Sequence, residues 1–266
     1  MDIPASRWHA AIAVRRSRRR FDFTPMEPGL VAELRSLCEE FRPFPGARSE
    51  LIPGSPDKVF KGAVGPYGKI KGASASIAFI GDMTDPNVQE KVGYLGEGVI
   101  LEATAMGLAT CWVGGFFRPK VVSSLIEVGS DEKVLAVTPV GRAADGLARE
   151  EKIMTMFGRN HRRKSLAELI TGAGRSAPDG WKKTALEAAR IAPSAVNRQP
   201  WRFQLEAGSI TVLSAGSRID FGISTRLDCG IAMMHVEVAA LDCGLSGEWE
   251  FLEAPSVARF TVAGSG

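Results

Sequence analysis

Apolar and polar positions along the chain fall into a pattern that occurs twice. In GYLGEGVILEATAMGLATCW, residues 93–112, apolar residues lie almost all round a helical projection, and a Gly-Leu pair closes the run. GIAMMHVEVAALDCGLSGEW, residues 230–249, does the same. Aligned without gaps, Gly93 meets Gly230, Val99 meets Val236, Ala103 meets Ala240, Gly107-Leu108 meets Gly244-Leu245 and Trp112 meets Trp249. A helix apolar on every side must be covered on every side, and a glycine after the last turn is a usual helix stop. Both runs are therefore predicted to be long buried helices. They are expected to pack against each other as two subunits of a dimer would.

The flanks match in kind. A β-like run precedes each long helix, ASIAFIG (75–81) and SITVLSAG (209–216), and another follows, KVLAVTPVG (133–141) and VARFTVAG (257–264). An amphipathic run opens each half, EPGLVAELRSLCEEF (27–41) and DGWKKTALEAARIA (179–192). The order helix, strand, long helix, strand thus appears twice, an α+β pattern. TGAGRSAPDG (171–180) reads as a linker. The expected organisation is a first half over residues 1–170 and a second over 171–266, integrated as one pseudo-dimeric unit.

Composition narrows the function classes. With 266 residues, 45% hydrophobic and 24% charged, the chain can bury a sizeable core. A net charge of +3 argues against a general nucleic-acid binder, and no apolar run reaches the length of a membrane span. The four cysteines, Cys38, Cys111, Cys229 and Cys243, are far apart, and Cys111 and Cys243 stand in apolar, helix-like contexts. They are expected to be reduced core residues of a cytoplasmic protein. With three histidines and no C-x-x-C or H-x-x-x-H spacing, no metal site is expected.

Three stretches carry candidate chemistry. VRRSRRRF (14–21) packs five arginines and a serine together. It reads as a solvated basic face, a nucleic-acid arm or a cradle for one small anion. In IAPSAVNRQPWRF (191–203), Pro193 stops a helix, and Ser194, Asn197, Gln199 and Trp201 follow on a segment that leads into a strand. Asn197 and Gln199 could read a flat polar heterocycle or brace the turn. CWVGGFF (111–117) offers backbone N–H groups at a glycine pair, or a simple helix cap.

Taken together, the stretches resemble the FMN-dependent nitroreductase and flavin reductase family. VRRSRRRF is similar to that family's Arg-Arg-Ser opening, APSAVNRQPWRF to its helix-end motif, and LGLATCWVGGF and RRKSL have counterparts in the same order. The resemblance implies a nitroreductase-like fold and an oxidoreductase that binds FMN. NAD(P)H would be the reducing co-substrate and a nitroaromatic, quinone or similar small molecule the acceptor, by ping-pong turnover.

The resemblance also implies roles by position. Arg15, Arg16 and Ser17 would hold the phosphate and ribityl end, helped by Arg163 and Lys164. Arg19 and Lys69 would stand at the pyrimidine edge, Gly114 and Gly115 beside N5, and Pro193, Ser194 and Ala195 along the ring. Asn197 and Gln199 belong to the same cofactor site, bracing its turn; Arg18 and Arg20 are expected to face solvent.

One departure stands out: the family unit dimerises and carries both motifs in each subunit, whereas here they lie in different halves. The expectation is a fused pseudo-dimer, monomeric in solution, with one flavin site. The wall that selects substrates is expected in FRPFPGARSELIPGSPDK (41–58) or REEKIMTMFGRNH (149–161). An FMN-binding sensor or storage protein without general reductase activity is the alternative reading.

Overall fold

Two 18-residue helices, α3 (Val88–Ala105) and α7 (Thr225–Asp242), cross at the centre with no room between their backbones. In the computed structural model, which describes residues 1–54, 56–60, 70–144, 162–172, 178, 180–216 and 222–264, this is the most extensive helix pairing. A Cβ on Gly93 would collide with the carbonyl oxygen of Leu227, and one on Gly230 with that of Glu90. Each glycine thus meets the residue three positions before the other. Only glycine allows backbones this close.

Around the crossing, the elements run in the order read from the pattern, with additions. Helix α1 (Ala5–Val14) precedes the first predicted helix and packs on both long helices. Then follow α2 (Pro28–Glu40), β1 (Ala47–Pro53), β2 (Ala75–Asp82), α3, β3 (Ala109–Thr110), α4 (Pro119–Val122) and β4 (Glu132–Gly141). The second sheet uses β5 (Ile170–Thr171), β6 (Trp201–Glu206), β7 (Ser209–Ser214), β8 (Gly247–Phe251) and β9 (Ser256–Val262). Its helices are α5 (Leu166–Leu169), α6 (Gly180–Arg190) and α7. Strand order is β1-β2-β4-β3 in one sheet and β5-β6-β7-β9-β8 in the other. Neighbouring strands in both sheets run antiparallel except β5 with β6.

Both long helices end alike. Gly107 and Gly244 take φ of +78° and +79°, and Leu108 and Leu245 donate back to the carbonyls of Ala103 and Ala240. This is the Schellman closure the Gly-Leu pairs predict. The cysteines need correction. Cys111 lies buried in the segment after β3 rather than in a helix, and Cys243, at the C-cap of α7, is exposed rather than in the core.

Polar groups lock the crossing. Glu97 on α3 and His235 on α7 are fully buried, with Nε2 2.9 Å from Oε1. The other ring nitrogen, Nδ1, lies 2.8 Å from the carbonyl of Ala188, which can only accept. Nδ1 therefore carries a hydrogen, and the contact to Glu97 needs one more proton between its partners. The pair is net neutral. Trp112 Nε1 donates to the second carboxylate oxygen at 2.7 Å, and Arg15 lies 3.6 Å from the first.

Single substitutions test this core. Gly93→Ala or Gly230→Ala should cost roughly 1–3 kcal/mol or more by overpacking. Gly107→Ala, with no atom near its Cβ but a positive φ, should cost only about 1 kcal/mol. Denaturant midpoints compare them; equal losses would mean that the helices are not in backbone contact. Glu97→Ala strands His235 and the Trp112 indole in the dry core and should cost about 3–5 kcal/mol by the same measurement.

Candidate functional site

The site is built from the arginine-rich stretch upward. Residues after α1 run as an irregular strand: Ser17 bridges Thr110, Arg20 bridges Lys71 and Phe21 bridges Ala143. Backbone bonds from Arg18 to Thr110, Lys71 to Arg19 and Phe21 to Lys71 fix this course. Side chains alternate along it. Ser17 and Arg19 line a cavity of about 140 Å³, whereas Arg20 is exposed and Arg18, half-buried, donates to the carbonyl of Ala144.

Both halves of the chain close that cavity. Cys111 to Phe116 form one wall, including Gly114 and Gly115, held by reciprocal bonds between Val113 and Val137 of β4. Pro193, Ser194, Ala195 and Val196 form another, with Ile223, Leu227, Asp228 and Ile231 beside them. A Cβ on Gly114 would come within 2.9 Å of the Ile223 side chain, so glycine is needed for the two walls to meet. The Trp112 ring lies on Gly96 and Phe79, pinned by its bond to Glu97.

The turn after α6 is strained. Val196, Asn197 and Gln199 have φ of +47°, +56° and +48°, a region that β-branched valine in particular avoids. Its hydrogen bonds hold it there. Gln199 N donates to Ser194 Oγ at 3.0 Å and Ala195 N to Asp228 Oδ1 at 3.1 Å. Arg198 Nε donates to Asp228 Oδ2 at 2.6 Å, and Arg198 Nη2 to the carbonyl of Ile223 at 3.1 Å.

Asn197 and Gln199 point away from the cavity lining. Both side-chain amides donate to the carbonyl of Arg162, and Gln199 Oε1 accepts from Lys164 N at 2.8 Å. Lys164 Nζ donates to the carbonyls of Arg198 and Gln199. Lys164, Asn197 and Gln199 are thus one staple between the turn and residues 162–164.

That staple presents Arg163. Its Nη1 donates to the carbonyl of Ala192 at 2.6 Å, next to Pro193 in the cavity wall. Burial, and then the nearby Arg15, Arg190 and Arg16 guanidiniums, bring Arg163 down to about 10. Arg15 is buried, and Arg16 folds back on the carbonyls of Ala13 and Arg15. Arg190 already pairs with Glu187, and Glu97 is shared with His235 and Trp112. The cluster around Arg15 therefore holds more positive than negative charge, a setting that favours an anion.

Of the remaining expectations, Lys69 and residues 149–161 lie outside the described residues. The described residues of 41–58 are not in the cavity lining; Ala47–Pro53 is the edge strand β1, packed under α2. Trp112, Ile223, Asp228 and Glu97, at or under the site, are not among the site residues expected from the sequence. Glu97 does stand out as the lone charge in the apolar run GYLGEGVIL, and Asp228 as the one acid in TRLDCGIAMM, which is the signal that could have marked them. Burial raises Asp228 to about 6, opposed by Arg198.

The chain resembles known proteins over most of its length. The family model described as "Putative TM nitroreductase" matches residues 8–240. A crystal structure of a "putative nitroreductase" from Thermotoga maritima superposes with a TM-score of 0.63 at 18% identity, covering 96% of this chain and 93% of that one. At that identity the likeness speaks for the fold. A nitroreductase family protein from Clostridium difficile gives 0.44 at 16% identity, over 63% of this chain and 97% of its own. An FMN-dependent nitroreductase from the same species gives 0.43 at 15%, over 51% and 87%. No curated protein matches the sequence. With its two sheets on a shared helical core and a family model spanning both halves, the chain belongs to the family described as putative TM nitroreductases.

Proposed function

We propose that this protein is an FMN-dependent oxidoreductase of nitroreductase type that holds a single flavin between its two halves. One observation carries this reading. A cavity walled by apolar side chains and a glycine pair adjoins a cluster of arginines with too few carboxylates to neutralise it. A flat ring joined to a phosphate monoester dianion has both of those demands.

The residues present fit that group. Arg15, Arg16 and Arg163, with Ser17, would take the phosphate end. Pro193, Ser194 and Ala195 would lie along the ring, Gly114 and Gly115 would offer backbone N–H groups, and Arg19 would stand at its polar edge. Bound FMN would supply hydride transfer. The chain's own part is electrostatic and steric. A cation such as Arg19 favours the negative charge that reduction brings, and the apolar walls keep water out. NAD(P)H as reductant and a nitroaromatic, quinone or similar small molecule as acceptor would use the one cavity in alternation.

A difference between the halves supports the single site. Ile231 and Gly114 line the cavity; at the offset that pairs Trp112 with Trp249, their equivalents are Tyr94 and Phe251. Phe44, in the loop before β1, stacks on both, at 4.9 Å from Tyr94 and 5.1 Å from Phe251. Three aromatic rings thus fill the place where a second cavity would open. We infer a fused pair of nitroreductase-like halves, monomeric, with one working site and small-molecule partners rather than nucleic acid or membrane.

Purified protein saturated with FMN and freed of excess should release one FMN per chain on acid treatment; two would overturn the single-site reading, and none would overturn the flavin reading. Arg15→Ala and Arg163→Ala should each weaken FMN binding by at least tenfold, as expected for loss of a charge-assisted bond, measured by flavin fluorescence titration. NAD(P)H should bleach the bound flavin's visible absorption; a bound flavin that stays oxidised would leave a storage or sensor protein instead.

A further inference from the structure

Asp228 is the one acidic side chain that lines the cavity among the described residues, and it does not sit there as a free charge. It is 2% exposed and splits its two oxygens between two donors: Oδ1 takes the backbone N–H of Ala195, and Oδ2 takes Arg198 Nε. Through Arg198 the link extends to the carbonyl of Ile223, whose side chain packs over Gly114. Three walls of the cavity therefore hang on this ion pair: the Pro193–Val196 wall directly, the Ile223 loop through the guanidinium, and the glycine pair through Ile223. The backbone it holds is the strained one, with three non-glycine residues at positive φ between 196 and 199. Strain of this kind persists only where the surroundings enforce it.

We propose that Asp228 and Arg198 form a positioning clamp that keeps the 195–199 turn and the Ile223 loop closed around the cavity, and that protonation of Asp228 opens the clamp and loosens the bound flavin. The clamp is argued from geometry alone; its effect on flavin rests on the function proposed above.

The chemistry of opening is local. A carboxylate accepts on both oxygens, whereas a carboxylic acid must turn its O–H toward something that accepts. Neither Ala195 N–H nor Arg198 Nε–H can. One of the two bonds is therefore lost when the proton arrives, and the turn has a single tether left. Arg198 is the charged group in contact with Asp228. Arg19 shares the cavity from the first half, Arg226 on the same helix is paired with Glu90 of α3, and Cys229 faces the carbonyl of Leu213 on β7. Burial raises the Asp228 carboxyl to about 6 against the pull of Arg198 and the Ala195 N–H; a form in which the carboxyl stays in the apolar wall but has lost those donors holds the proton more tightly, so proton uptake favours that open form in a mildly acidic range.

The sign of the stability change separates this clamp from acid unfolding. The folded chain takes up a proton at Asp228 as pH falls through about 6, whereas the unfolded chain does so only near 3.8. From this residue, acidification to pH 5 therefore adds global stability. Flavin affinity should fall while the melting temperature does not fall on account of Asp228.

The test uses the full chain and two readouts. The phosphate's own second ionisation, at about 6, weakens FMN binding in any variant, so the probe is riboflavin, which lacks it: its affinity, by fluorescence titration from pH 7.5 to 5, should drop about tenfold in the wild type with a midpoint near 6. Asp228→Asn puts an amide donor where one of the two acceptors stood; it should bind riboflavin weakly and without that pH step. Independently, hydrogen-exchange protection of the Ala195 and Gln199 amides in flavin-free protein should fall over the same range while that of α7 is kept. Asp228→Asn should show the low value throughout. A wild-type profile flat in both readouts, or an unchanged step in Asp228→Asn, would overturn the clamp. If no FMN binds at any pH, the function proposed above fails, and the exchange data alone still decide the clamp. If Asp228→Asn does not fold, the wild-type profiles decide it.

Discussion

Everything in this molecule is placed by the contact of α3 and α7 at Gly93 and Gly230. Because each glycine lies against a carbonyl of the other helix, the separation of the two backbones is fixed at the minimum, and neighbouring side chains inherit fixed positions. On one side of the crossing, Glu97 and His235 come within hydrogen-bonding distance. On another, Leu227, Asp228 and Ile231 of α7 face the segment that follows α3, and the space left between them is the cavity. A wider crossing would pull Trp112, which rests on Gly96, away from Ile231 and change the shape of the site. The interior transmits such shifts because it is close-packed.

The charges buried near this crossing show how the two halves have parted. Glu90 is held by Arg226, Glu97 by His235, Trp112 and Arg15, Asp228 by Arg198, and Glu237 by Tyr94 and Trp249. Each carboxylate has its own donors, which is the condition for keeping a charge in a dry interior. Each half places a tryptophan after its long helix, and each donates to a glutamate on that helix, Trp112 to Glu97 and Trp249 to Glu237. In the first half the glutamate also reaches Arg15 and so ties the ring wall to the arginine cluster. In the second it reaches Tyr94, whose ring stacks with Phe44. One architecture thus supports an open, cationic site on one side and an aromatic plug on the other.

How far the sequence discloses this depends on the range of the interaction. The long helices, their Gly-Leu ends and the flanking strands were legible because period, capping and apolar runs are local. Helix α1 was not, since the arginines that follow it dominate the reading of the N-terminus. Strands β1 and β8 were not, since an edge strand with charges on one face, such as GEWEF, carries a weak pattern. At the site, residues in contiguous motifs could be named: Ser17, Arg19, Gly114, Gly115, Pro193, Ser194 and Ala195 all line one cavity. Glu97 and Asp228 carry only the weak signal of an acid in an apolar run, because what makes a buried carboxylate tolerable is its partner, and the partner of Glu97 is 138 residues away. The amides of Asn197 and Gln199 were ambiguous for the same reason: the carbonyl they serve, that of Arg162, is distant in sequence.

The strained turn explains why those amides are there. A chain leaving α6 could relax Val196 into an ordinary conformation by swinging residues 195–199 outward, and on local energetics alone it would. Three tethers from different parts of the chain oppose this: Asp228 on α7, the Arg162–Lys164 segment that the two amides grip, and Ser194 Oγ within the turn. Two of them also serve the cavity, since Asp228 lines it and the gripped segment carries Arg163 into the arginine cluster. The backbone strain is therefore coupled to the site: the contacts that enforce it are the same ones that set the wall and the charge a ligand would meet. A substitution that relaxed the turn would let go of both at once, so the site and the unfavourable backbone persist together.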